Sequence, residues 1–226
     1  MKKQIKNLTS ESIDNQIILR AGDSKYIVLP FYKSSLDLRN DSERSKFIRS
    51  VELLIRKSSV YRAYIKYLKE DIGLTHCMMF SELDDEMCEI EMHHGPIFNL
   101  YDYVSITLRY FIKNQYDIST FSIARQVLQD HCDNLIQVVM LSQMVHEAVH
   151  MKHENNYSEF LSIDSAWGDL TGYLIKYQDV LSIEHINKVH RYMERYKNQN
   201  KQKSEVFVNT VKNWNKILEN YKKGAI

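Results

Sequence analysis

Only six glycines and two prolines occur in 226 residues, which excludes a collagen-like or low-complexity chain and leaves few built-in breaks in helices. The three cysteines, Cys77, Cys88 and Cys132, form no C-x-x-C pair and leave an odd thiol. That argues against a disulfide scaffold and fits a reducing compartment. No run of about 18 apolar residues is present, so no membrane-spanning helix and no membrane partner are expected. The start, Met1-Lys2-Lys3-Gln4, leads into polar sequence without the apolar stretch of a secretory signal. The expected location is the cytoplasm. Neither sign of charge dominates: 30 basic against 29 acidic residues give a net charge of +1. That balance neither requires nucleic acid nor excludes it, because a binding face needs only local positive charge.

Apolar residues make up 44 % of the chain. With so few breakers this predicts a well-packed, predominantly helical α+β protein. Residues 1–24 are polar and weakly patterned, and Lys25 to Phe31 read as a short edge strand carrying Pro30. Asp41-Ser42 would cap one long helix from about Glu43 to Glu70, with Phe47, Val51, Leu54, Ile55, Tyr61, Ile65 and Leu68 at helical spacing. The lysines and arginines on its other face read as a solvated surface rather than a DNA contact. His76–Leu83 and Met87–His94, joined by Asp84-Asp85-Glu86, predict a β-hairpin. Helices are expected from Phe98 to Lys113, from Ser119 to about Asp130, and from Ser142 to about His153. Leu135–Leu141 is either a short buried strand or the start of a helix. Two further helices, near Ile183–Tyr196 and Glu205–Tyr221, come after an irregular Trp167-Gly168-Asp169 stretch. The domain reading is an N-terminal strand and helical flank at 1–75, a core at 76–156 and a helical C-terminal region at 157–226.

The chemistry concentrates in the histidines. On a helix His146 and His150 stand one turn apart on one face, a chelating pair. In an extended segment His93 and His94 point to opposite sides, so only one suits the same ion. His93 shares a face with Glu89 and Glu91 and is the better third ligand. His94 is then left for acid–base work, because imidazole titrates near neutral pH. Three imidazoles favour a transition metal such as Zn²⁺, Ni²⁺ or Mn²⁺ over Mg²⁺, which prefers oxygen.

A strand ending in His93-His94, then Asn134, then a short strand and a helix carrying His146-x-x-x-His150, resembles the HNH endonuclease family, whose core is the ββα-metal fold. The resemblance covers about residues 76–155, with residues 97–133 as a helical insertion. It implies His93, His146 and His150 as metal ligands, His94 as the general base on water, and Asn134 as the residue that orients it. Asn114 lies nearer the histidine pair, but the apolar run leading into the His146 helix favours Asn134. The implied activity is metal-dependent hydrolysis of DNA phosphodiester bonds. Richness in Asn, Lys and Ile is suggestive of a bacteriophage product.

The same helix supports another enzyme. His146-Glu147-Ala148-Val149-His150 is a literal H-E-x-x-H, the zinc metallopeptidase motif with glutamate as base. A third ligand is then needed, and His153, Glu159 and Asp164 are available downstream. A third reading is an inactive HNH-like phage protein that binds nucleic acid or a host protein. A homodimer is compatible with all of them. Glu91, Glu147 and His153 are secondary candidates. His131 and Cys132 precede Asn134 and would pack beside the site, while His76, His185 and His190 read as structural or solvated. Lys188, Arg191, Arg195, Lys197, Lys201 and Lys203 form the best local basic tract for a DNA contact.

Overall fold

Asn40 starts the first helix: its side-chain oxygen accepts from the backbone N–H groups of Ser42 and Glu43 at 2.9 and 3.2 Å, filling two of the donors that a helix start leaves open. The computed structural model describes residues 38–150 and 161–199, together with Lys212, Lys216 and Glu219, which are helical. The strand expected at 25–31, His153 and most of the helix expected at 205–221 lie outside the described residues. The described residues are predominantly helical, with one two-stranded sheet. They belong to two compact units, one running to Tyr64 and resuming at Leu100–Asp133, the other comprising Ile65–Asn99 and the chain from Asn134 onward.

The first unit is helical. The single helix expected over 43–70 is two helices, α1 (Asp41–Lys57) and α2 (Ser59–Glu70). Ser58 separates them: its backbone is extended, and its buried hydroxyl accepts from the Tyr61 N–H at 3.1 Å, so it closes one helix and caps the next. α3 (Leu100–Lys113) and α4 (Thr120–Cys132) pack against α1. Ser119 caps α4 as expected, exchanging hydrogen bonds with Ser122 in a capping box. The segment expected as a helical insertion at 97–133 is thus helical and joins α1 around Phe47, Val51, Ile55, Tyr103, Ile106, Ile123 and Val127, all essentially buried.

In the second unit β1 (Ile90–His94) pairs antiparallel with β2 (Val138–Ser142), with Glu91 opposite Leu141 and His93 opposite Val139. This corrects the expected hairpin. Residues 76–83 form no strand; His76 and Asp84 make one isolated bridge, and Asp84 Oδ1 accepts from the N–H groups of Glu86 and Met87, curling the acidic segment away from an extended path. β1 instead finds the Val-Val-Met-Leu run, which is the strand alternative for residues 135–141. On its other side β2 receives the Met78 N–H at Met140 O (2.7 Å) and a two-way bridge between Val138 and Trp167. Both edges are engaged, and all five β2 residues are buried. β2 passes without a loop into α5 (Gln143–His150), which packs on both strands. Beyond the undescribed 151–160 come α6 (Leu170–Tyr177) and α7 (Ile183–Gln199). No described helix is long and apolar enough to cross a membrane.

Candidate metal centre

Alternation along β1 puts Glu91 and His93 on one face and Met92 and His94 on the other. The direct β2–α5 junction then carries His146 and His150 to the Glu91–His93 face, and the Gln143 N–H fastens the first turn of α5 to Glu89 O at 3.0 Å. The outcome is a three-imidazole cluster. His93, His146 and His150 each offer a ring nitrogen, and these atoms all lie within 4.8 Å of one another. The rings meet edge to face, with centroids 5.1 Å (His93–His146), 5.0 Å (His93–His150) and 4.8 Å (His146–His150) apart.

The spacing can be tested against an ion. Metal–nitrogen bonds of about 2.0–2.1 Å require ligand nitrogens within about 4.2 Å of one another. His146 Nε2 and His150 Nε2, 3.1 Å apart, already meet this, and His93 has to close by less than about 1 Å. The donor set also suits a borderline-soft ion. His150 is exposed and His93 is 9 % exposed, so the cluster is walled on the strand side and open on the helix side. The wall is tight: a Cβ added at Gly95 would stand 3.2 Å from His93 Cδ2 and 3.4 Å from Leu161 Cδ1.

Around the cluster, Glu91 bonds His146 through Oε2 and Nδ1. Glu147 is exposed on α5, and Gln143 Nε2 donates to its carboxylate at 3.3 Å. His94, on the opposite strand face, is 5 % exposed. Asn134 has a left-handed backbone (φ 57°), and its Oδ1 accepts from the Trp167 indole N–H at 3.2 Å while its backbone oxygen accepts from Asp169. It is thereby engaged in joining the chain ahead of β2 to the Trp167 segment. The structure brings together His93, His146, His150 and Glu91, and holds Asn134 with Trp167; His153 lies outside the described residues. His131 belongs to the first unit, wedged edge-on between Tyr61 and Tyr64 with Nδ1 2.7 Å from Val127 O. His185 bonds Ser182 Oγ through Nδ1 at 2.8 Å and meets the Phe98 ring, while His190 is exposed. Gly95 and Gln143 are the site neighbours that sequence reasoning missed. The small residue directly after the histidine pair was the available signal for Gly95, and the i, i+4 spacing to Glu147 was the signal for Gln143.

The sequence model of a family described as "Bacteriophage G278-like virion protein" matches residues 2–223. No similar protein was found among curated proteins, and none among solved structures.

Proposed function

We propose that this chain, which belongs to the bacteriophage G278-like virion protein family, is a metal-dependent hydrolase with its ion at His93, His146 and His150. One observation carries the reading: three imidazoles from two separate elements converge, their ring nitrogens within 4.8 Å of one another, on an open face. Isolated structural histidines have no reason to do so. When bound, a zinc-like ion there acts as a Lewis acid and makes nearby water easier to deprotonate.

The surroundings favour an amide rather than a phosphodiester as substrate. Cleaving DNA calls for cations around the scissile phosphate, yet β1, β2 and α5 contain no lysine or arginine. Their exposed or half-buried charges beside the cluster are Glu91 and Glu147. Glu147, adjacent to a ligand on the open face, suits the base of H-E-x-x-H chemistry. It would take a proton from water as the oxygen attacks the carbonyl carbon, then deliver that proton to the departing amine as the C–N bond breaks. His94 suits the base role less well, being on the buried strand face.

The nuclease reading is the second one. It is favoured by the pairing of β1 with β2 and the direct passage of β2 into α5, with the histidine pair closing the first strand and the spaced pair on the helix. Two variants separate them. Zinc-loaded protein is assayed on a quenched peptide library and on supercoiled plasmid. The expected result is peptide cleavage that Glu147→Gln lowers by about 10²-fold or more and His94→Ala leaves within a few-fold. Plasmid nicking abolished by His94→Ala and spared by Glu147→Gln would establish the nuclease instead. Activity on neither substrate, with zinc bound, would overturn the hydrolase reading.

A further inference from the structure

Glu91 is half-buried, as is His146, with side chains 33 % and 21 % exposed. An imidazole can hold an ion only through a nitrogen that carries no proton, so a ligand histidine needs its other nitrogen to keep the hydrogen. At His146 the division of roles is built in. Nδ1 faces the Glu91 carboxylate, which can only accept, while Nε2 is the atom lying 3.1 Å from His150 Nε2 within the cluster. Backbone geometry fixes the carboxylate relative to the helix. Glu91 is paired in the ladder with Leu141, one residue from the end of β2, and α5 begins at the next residue after that strand. The Gln143-to-Glu89 hydrogen bond clamps the same corner.

We propose that Glu91 is a positioning residue: it holds His146 as the Nδ1–H tautomer with its ring turned so that Nε2 is presented to the ion, without itself being a ligand. This rests on the reading of the cluster as a metal site. It also gives a reason for the carboxylate two residues before His93 on the same strand face. Two ligands of the tripod then depend on β1: His93 directly, and His146 through Glu91. A one-residue slip of the β1–β2 register would lose both at once.

The test uses the full-length protein with Zn²⁺ as the probe. Nitrogen-15 spectra of the zinc-free protein report the His146 tautomer, and calorimetric titration reports zinc affinity for Glu91→Ala and Glu91→Gln, with circular dichroism as the folding check. The expected results are Nδ1–H at His146 in the wild type, and a loss of affinity of about 10- to 100-fold in Glu91→Ala, still with one ion per chain. Glu91→Gln, whose amide oxygen can still accept from Nδ1–H, should recover part of that loss. If Glu91→Ala folds poorly, the Gln variant and the tautomer carry the test. Unchanged affinity in Glu91→Ala, an Nε2–H tautomer, or a Gln variant as weak as the Ala variant would overturn the positioning role. The last of these would mark Glu91 as a ligand. Zinc binding absent from the wild type would overturn the metal reading, whereas the tautomer of zinc-free protein tests Glu91 independently.

Discussion

His131 and His146 are both helical histidines, and their neighbours give them opposite chemistries. His131 has no exposed surface, and burial lowers its pKa to about 4 despite the opposing pull of the Val127 carbonyl. Unfolded, it titrates near 6.5. The unfolded chain therefore binds the extra proton between those values, and the contribution to stability is complete above about pH 6.5 and lost progressively as pH falls toward about 4. It amounts to at most about 3 kcal/mol. Urea unfolding at pH 7 and pH 5 should show a marked loss at the lower pH, and a folded His131→Phe variant should show a smaller one. Equal pH dependence in the two proteins would contradict the assignment. Nothing in the spacing of His131 distinguishes it from a site residue, because the edge-on rings of Tyr61 and Tyr64 reach it only once α4 is packed. For His146 and His150 the i, i+4 spacing already specifies a shared face. Strand alternation alone favours His93 over His94, and the cluster contains His93. Asn134 draws notice in the sequence through the apolar run on its C-terminal side. Its engagement by Trp167 depends on a residue 33 positions away, which no local pattern reports.

Among the elements, β2 is the one on which the site hangs. It is the only described strand with neighbours on both sides, and it delivers α5 without a loop. The Trp167 bridge that covers its outer edge turns on Gly168, which has φ +113° and leaves no room for a side chain: a Cβ there would lie 2.2 Å from Ile136 O. Gly168→Ala combines a positive-φ penalty with a backbone clash, and should cost about 2 kcal/mol or more. Chemical denaturation measures this directly, and a change within about 0.5 kcal/mol, the range of an ordinary surface substitution, would show that the bridge contributes little. The irregular Trp167-Gly168-Asp169 stretch is visible in sequence, but its attachment to β2 is not. The expected hairpin fails for a similar reason. Alternation identifies β1 correctly, yet strand pairing is a long-range choice, and the buried Val138–Leu141 run outcompetes the segment next door, which the Asp84 turn has already curled. The long first helix is divided by Ser58, a residue whose capping use outweighs its weak helix propensity.

For the molecule as a whole, composition correctly indicates a predominantly helical α+β chain and a phage origin, and the family match agrees with the latter. The helical character of α3 and α4 is legible, but their membership in a unit with α1 is not, because packing partners far apart in the chain leave no periodic trace. The matching family is described as one of virion proteins, which nothing in the composition of the chain announces.

The central claim is that three imidazoles on β1 and α5 hold one ion. Calorimetric titration of metal-free protein with Zn²⁺ tests it most directly, run side by side on the wild type and on His93→Ala, the variant that removes the strand's contribution while leaving the helix pair intact. The account predicts one ion per chain in the wild type and an affinity loss of more than about 100-fold in the variant, beyond what loss of an outer-shell partner costs. Undiminished affinity in His93→Ala, or no binding by the wild type, would contradict it.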